Sequence, residues 1–406
     1  MNRRAFLATA AAAGIAQAQR GGRTPIDPAK LPPAIKNLRP MTDGVKPITA
    51  EERQSRIEKA GRLMHENHLG AIIVEPGSTM FYYTGRRTPN STLVIPAAGE
   101  IAWFVPGNTA DTPAGDVRHG GDSTKALTQI LTDRKAAGRI GIEERVRFAT
   151  YDALHRESPA REFVSADPVT IGCRVIKSPA EIALLQRAND VTVAAYRAAF
   201  STLHEGMDQR ELSAYIDAAY QALGFRGGAM VIYGKYTAFP HGSVQPQTLH
   251  DGDFVLVDDG CSVEGYQSDI TRTVIFGKPT DRQRRVWDLE RKAQDAALAA
   301  AKPGATCESV DAAARKVITD AGFGPGYKVP GLPHRTGHGI GLDGHEWTYL
   351  VKGNKTRMEP GMCFSNEPTI AIYGEFGVRL EDCMYITPDG ARMFTAQSPA
   401  IDRPFA

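Results

Sequence analysis

The sequence predicts an α/β protein of two domains, and three observations carry the prediction. Along most of its 406 residues, short apolar runs of strand character alternate with amphipathic helical stretches. Near the middle, Ser178-Pro179-Ala180-Glu181 is a helix start: Ser at the N-cap, Pro at the first helical position and Glu at the third. In the C-terminal half, Gly206 to Gly224-Phe225 and Gly304 to Gly322-Phe323 each frame an amphipathic helix, and the copies are offset by 98 residues. The same offset carries Asp269 onto Glu367 and brings His241 within one position of His338. A repeat of this kind predicts two related α/β halves facing a shared centre.

Taken in order, residues 1–18 read as an export leader. Paired arginines at Arg3 and Arg4 precede an Ala-rich stretch from Ala8 to Ala16, and Ala16-Gln17-Ala18 offers a small-residue cleavage site, the pattern of a twin-arginine signal. Residues 19–47 are Pro-rich and non-periodic, which predicts a linker or extended arm. Residues 48–173 form the first α/β domain: an amphipathic helix from Glu51 to His65, with strands at Ala71-Ile72-Ile73-Val74 and Ile101-Ala102-Trp103-Phe104-Val105. Residues 174–406 form the second, opening with the helix capped by Ser178, which runs to about Thr202.

Charge excludes some functions. The chain has 48 basic and 46 acidic side chains, and removing residues 1–18 would leave 46 of each. Without a basic block there is no electrostatic footprint for nucleic acid or an anionic membrane. No stretch of about twenty apolar residues follows the leader, so no membrane-spanning helix is expected. The five cysteines, Cys173, Cys261, Cys307, Cys363 and Cys383, contain no CxxC pair and read as small buried apolar side chains.

The chemistry concentrates in five metal-capable residues: Asp258, Asp269, His338, Glu367 and Glu381. Asp258 ends the apolar strand from Phe254 and precedes the Asp259-Gly260 turn, and Asp269 stands in a β-branched stretch that reads as the returning strand of a hairpin. Glu367 and Glu381 flank a second hairpin turning at Tyr373-Gly374, while His338 lies in the glycine-rich run Gly337 to Gly341. Any one of these alone reads as an ordinary cap or turn residue. Together, four carboxylates and one imidazole suit two divalent ions sharing bridging carboxylates, with hard or borderline ions favoured over thiolate-loving ones. Two such ions would make a bridging hydroxide the nucleophile, with Glu367 taking its proton and passing it to the leaving nitrogen. His119, His155, His204 and His250 have no such context and read as surface residues.

The blocks Asp258-Asp259-Gly260, Ser268-Asp269-Ile270-Thr271-Arg272-Thr273, Gly337-His338-Gly339-Ile340-Gly341, Asn366-Glu367-Pro368 and Arg379-Leu380-Glu381-Asp382 resemble those of the creatinase/aminopeptidase P/prolidase family of pita-bread metallopeptidases. The resemblance is detailed from about Ser178 onward and looser upstream. It implies a pita-bread catalytic domain behind a smaller α/β domain, and two divalent metals at the five positions, manganese above all, with cobalt or zinc as alternatives. It implies that His241 and His345 contact substrate and transition state, that His334 and Arg379 lie at or just behind the active site, and that the substrate is a peptide with proline in second position. A homo-oligomer is left open. The scaffold also hosts creatinase-like amidinohydrolases and lyases, the paired metals would serve a phosphotriesterase, and some relatives are non-catalytic peptide-binding modules. Retention of all five ligand positions speaks for a metal enzyme.

Overall fold

The structure, a computed structural model of the protein, describes residues 27–107, 113 and 115–405. The expected leader and the first residues of the arm lie outside the described residues. The chain divides into two compact units: Pro47–Ile176, and a larger unit in which Lys177 onward packs with the segment ending at Lys46.

In the smaller unit, the Thr49 hydroxyl accepts from Glu52 N at 3.2 Å and caps the helix Ala50–Glu66. The next strand, Leu69–Val74, is central in a six-stranded mixed sheet, paired antiparallel to Thr92–Pro96 and parallel to Arg139–Ile142. Ala71, Ile73, Val94, Phe104 and Ile140 from the sheet meet Leu127, Ile130, Leu131 and Leu154 from two helices in one apolar core. Burial on both faces explains why these strands read as continuous apolar runs.

In the larger unit, Ser178 and Glu181 form the reciprocal capping box expected of them, and the helix they open spans Pro179–Phe200. The repeat predicted at an offset of 98 is present in the helices Gln209–Ala222 and Cys307–Asp320. Gly206 and Gly304 share a φ of +82°, and Gly224 and Gly322 have φ of +91° and +90°, a left-handed conformation that a residue with a Cβ resists. The Pro-rich arm departs from expectation in its described part. Instead of an extended linker, Pro33–Lys36 form a helical turn whose Ile35 is fully buried, Met41 N donates to Leu223 O, and Arg187 reaches Met41 O at 3.0 Å. One apolar residue and these backbone partners outweigh the segment's lack of periodicity.

Two interrupted hairpins dominate the centre of this unit. In the first, Phe254–Asp258 pairs with Arg272–Ile275, Val257 opposite Arg272, and pairing resumes between Cys261–Val263 and Tyr266–Gln267. In the second, Cys363–Asn366 pairs with Asp382–Thr387, and pairing resumes between Thr369–Ile372 and Phe376–Arg379. Asp269, Glu367 and Glu381 therefore sit in the breaks and not on regular paired strands as the sequence suggested. A regular ladder turns successive side chains to opposite faces, whereas an interrupted one re-aims them. The glycine-rich run that holds His338 is in part a short strand, Gly337–Gly339, between Glu346–Leu350 and Cys363–Asn366. Its glycines permit this: a Cβ on Gly337 would stand 2.2 Å from Ser365 O.

The first break depends on Gly260, where a Cβ would fall 2.2 Å from Ser268 O. Gly260→Ala is expected to spread the segments carrying Asp258 and Asp269, lowering stability by about 1–3 kcal/mol. A denaturant melt and a metal titration on the same variant check this, and both are expected to weaken together.

Candidate metal centre

The five residues singled out in the sequence converge. Donor atoms of Asp258, Asp269 and Glu381 lie within 4.8 Å of one another, as do those of His338, Glu367 and Glu381 and those of Asp269, His338 and His345. His338 Nε2 stands 3.2 Å from Glu367 Oε1 and 3.6 Å from Asp269 Oδ2. Its Nδ1 is 3.0 Å from Gly339 O, and since a carbonyl only accepts, Nδ1 carries the proton and Nε2 presents a lone pair to the carboxylates. Burial, then the charge of Arg335, pulls the His338 pKa down to about 3, so the ring is neutral, as a ligand must be.

The carboxylates strain against one another. Burial, then the charges of Asp258, Asp259 and Glu367, raises Asp269 well above the usual carboxylate range. Burial, then Asp269, Glu367 and Asp258, does the same to Glu381, whose buried Oε1 has no hydrogen-bond partner. An orphaned buried oxygen among crowded like charges, with an imidazole lone pair beside it, fits divalent cations.

Arg379 supplies the fixed positive charge. Its guanidinium pairs with Asp258, stands 3.9 Å from Glu381, and donates to Thr271 Oγ1 and Pro240 O at 3.0 Å each. The Thr271 hydroxyl lies 2.8 Å from Asp258 and 2.6 Å from Glu381, giving its single proton to one of them. Behind these groups Arg272 bonds Asp382 at 2.7 Å and Glu381 O at 2.8 Å, both side chains being almost fully buried. Glu290, its pKa pushed up by burial, accepts from Leu380 N at 3.1 Å.

The remaining predicted residues divide. His345 lies against His338, ring centroids 3.8 Å apart, and its Nδ1 is 2.9 Å from Arg335 Nη2. His241 stands at the rim beside Pro240, its pKa lowered by burial of one side and then by Arg379, with Asp258 and Glu367 opposing. His334 has both ring nitrogens engaged, Nδ1 with Arg335 O at 2.6 Å and Nε2 with Thr369 Oγ1 at 3.0 Å. His119, His155, His204 and His250 are exposed, with His250 held by Glu205 at 2.7 Å, and all five cysteines are free and buried. Sequence reasoning missed Arg335 and Ser365. Arg335 stands between two identified histidines, a charged residue in a run of small ones, and that was the available signal.

Known proteins resemble this chain along both of its units. Residues 183–388 match the metallopeptidase family M24 and residues 56–176 the creatinase/prolidase N-terminal domain. The chain belongs to the metallopeptidase family M24, the creatinase, prolidase and aminopeptidase P family, and its larger unit has the pita-bread fold. It is 34% identical to a Xaa-Pro dipeptidase of Lactobacillus delbrueckii subsp. lactis over 85% of this chain and 98% of that protein. A Xaa-Pro dipeptidase of Pyrococcus furiosus is 30% identical over 84% and 98%. Among solved structures, the dipeptidase PepE of Mycobacterium ulcerans superimposes with a TM-score of 0.79 at 29% identity, covering 88% of this chain and 99% of that one. No helix among the described residues is long and apolar enough to cross a membrane.

Two outcomes are expected. Arg379→Met removes the cation that offsets Asp258 and Glu381 and should weaken metal binding roughly 10–100-fold, read by calorimetry. Because the pKa values of Asp269 and Glu381 are raised in the metal-free protein, bound cations must displace protons. Metal affinity should therefore go on rising with pH above the range in which ordinary carboxylates titrate, with proton release seen as a dependence of the binding heat on buffer ionisation enthalpy.

Proposed function

We propose that this metallopeptidase hydrolyses Xaa-Pro peptide bonds as a prolidase-type dipeptidase, using two divalent cations, manganese first and cobalt or zinc as alternatives. The observation that carries the reading is the convergence of all five ligand positions with His345 beside them. The named activity of relatives that match over almost their whole length supports the substrate class. An X-Pro aminopeptidase of Thermotoga maritima also superimposes, with a TM-score of 0.71 at 26% identity, so cleavage before proline in longer peptides is the nearest alternative.

When bound, the cations would activate a water for attack, polarise the scissile carbonyl and stabilise the developing oxyanion. The chain's own residues do the rest. Glu367, its Oε1 at 3.3 Å from the Ser365 hydroxyl, accepts the proton of the attacking water and hands it to the departing proline nitrogen. Arg335 has only protons to give, so His345 Nδ1 accepts, and the neutral ring carries its proton on Nε2. The first cause holding His345 neutral is the adjacent His338, with burial and Arg335 adding to it. Such a ring is a donor to the carbonyl oxygen, and His241 at the rim is a second one. His334, satisfied at both nitrogens, orients Thr369, which lies opposite Arg379 in the second hairpin. The leader at residues 1–18 supports export of the folded, metal-loaded protein to the periplasm or beyond.

The test compares a Xaa-Pro dipeptide, a tripeptide with proline second, creatine and a phosphotriester, with and without manganese. The dipeptide should be the best substrate, and Glu367→Gln should lose about 10²–10⁴-fold in kcat. Metal-replete protein that left every Xaa-Pro bond intact while hydrolysing another substrate would sink the reading. Export is tested separately: Arg3→Lys with Arg4→Lys should leave the protein in the cytoplasm of a host with a twin-arginine pathway, as seen by fractionation.

A further inference from the structure

His345 owes its position to a loop, residues 341–345, that no regular element holds. What holds it is the carboxylate that follows. Glu346 Oε1 accepts from Leu342 N at 2.9 Å and Asp343 N at 3.2 Å, so one oxygen gathers the loop's backbone. The carboxylate lies directly beneath Gly341, where a Cβ would come within 2.7 Å of it. Gly341 O in turn accepts from Gln267 N at 2.8 Å, two residues before Asp269. The other oxygen, Oε2, meets Lys177 Nζ at 3.0 Å, and the two side chains are 2% and 6% exposed. Lys177 is itself anchored, its N–H donating to Gly361 O, and it is the first residue of the larger unit after the chain leaves Ile176.

We propose that Lys177, acting through Glu346, is a positioning residue for His345. The buried ammonium fixes one carboxylate oxygen so that the other faces the Leu342 and Asp343 amides, and the loop then sets the His345 ring against His338. A buried charge that loses its partner turns or takes up a proton or water, and the amides it gathered lose a fixed acceptor. The bonds of this pair run to each other, to the Leu342 and Asp343 amides and to Gly361 O, so the effect is expected first on the loop that carries His345. The inference rests on the reading that His345 contacts substrate.

The test is a double-mutant cycle at saturating manganese with metal content measured. Lys177→Met should keep its metal, lose about 10²-fold in kcat/KM, and recover most of that in Lys177→Arg. In a His345→Ala background the same Lys177→Met change should have roughly a two-fold effect or less, because the residue it acts through is gone. An equal loss in both backgrounds, or no loss in either, overturns the proposal, since a merely structural role would be additive. Hydrogen exchange gives an arm independent of substrate: Leu342 and Asp343 amides should exchange faster in Lys177→Met while the two hairpins carrying the ligands do not change. Uniform acceleration, or none, overturns it as well. If Lys177→Met does not fold, Glu346→Gln keeps an acceptor oxygen, removes the charge and carries the same expectations with smaller losses. Failure of the Xaa-Pro reading shows separately, as wild-type enzyme inactive on Xaa-Pro peptides with a normal exchange pattern.

Discussion

Three carboxylates, Asp258, Asp269 and Glu381, with donor oxygens within 4.8 Å of one another, and a fourth, Glu367, within the same distance of Glu381, are the constraint from which the rest of the larger unit follows. Two like charges about 4 Å apart repel by about 4 kcal/mol at an effective dielectric constant near 20, and here the set includes several such pairs. Arg379 offsets part of this from one side, and the Thr271 hydroxyl, lying between Asp258 and Glu381, donates to one of them. The Arg272–Asp382 pair and the Glu290 carboxyl then fix the backbone on which Leu380 and Glu381 sit. A loosely built scaffold would relieve the repulsion by letting the carboxylates turn away. This one prevents it, and the unrelieved charge becomes affinity for cations.

The three histidines of the cleft show how partners divide the work of one side-chain type. Each ring is neutral or held toward neutrality, yet each presents a different face. His338 gives its Nδ1 proton to a carbonyl and keeps a lone pair for a metal. His345 accepts a hydrogen bond from Arg335 at Nδ1 and keeps its own N–H as a donor. His334 is satisfied at both nitrogens and serves as a brace. None of these assignments follows from the residue type. They follow from whether the neighbouring atom can donate or only accept.

Much of the fold and of the ligand set was legible in the sequence because the deciding forces are local. The Ser178 capping box, the left-handed glycines at 206, 224, 304 and 322, and the apolar strand before Asp258 each write their structure in a few adjacent residues. The breaks in the hairpins were not legible, since whether Asp269 lies on a ladder depends on Gly260 packing against Ser268 across the turn. Nor was the docking of the arm, which one buried isoleucine and two distant backbone partners decide. Arg335 and Glu346 matter through partners that only folding brings near. Long-range pairing of polar groups leaves no periodic trace.

The interrupted hairpins also set an order in time. Asp258 and the arginine that neutralises it are 121 residues apart in the chain, and Arg272 and Asp382 are 110 apart. At ordinary rates of synthesis the first acidic hairpin exists for roughly ten seconds before its counter-charges and the imidazole emerge. During that interval it is an incomplete acidic notch, unable to choose among cations by geometry. Discrimination therefore belongs to the finished chain, when the second half closes on the first, and the metal acquired then is the one the whole cleft selects.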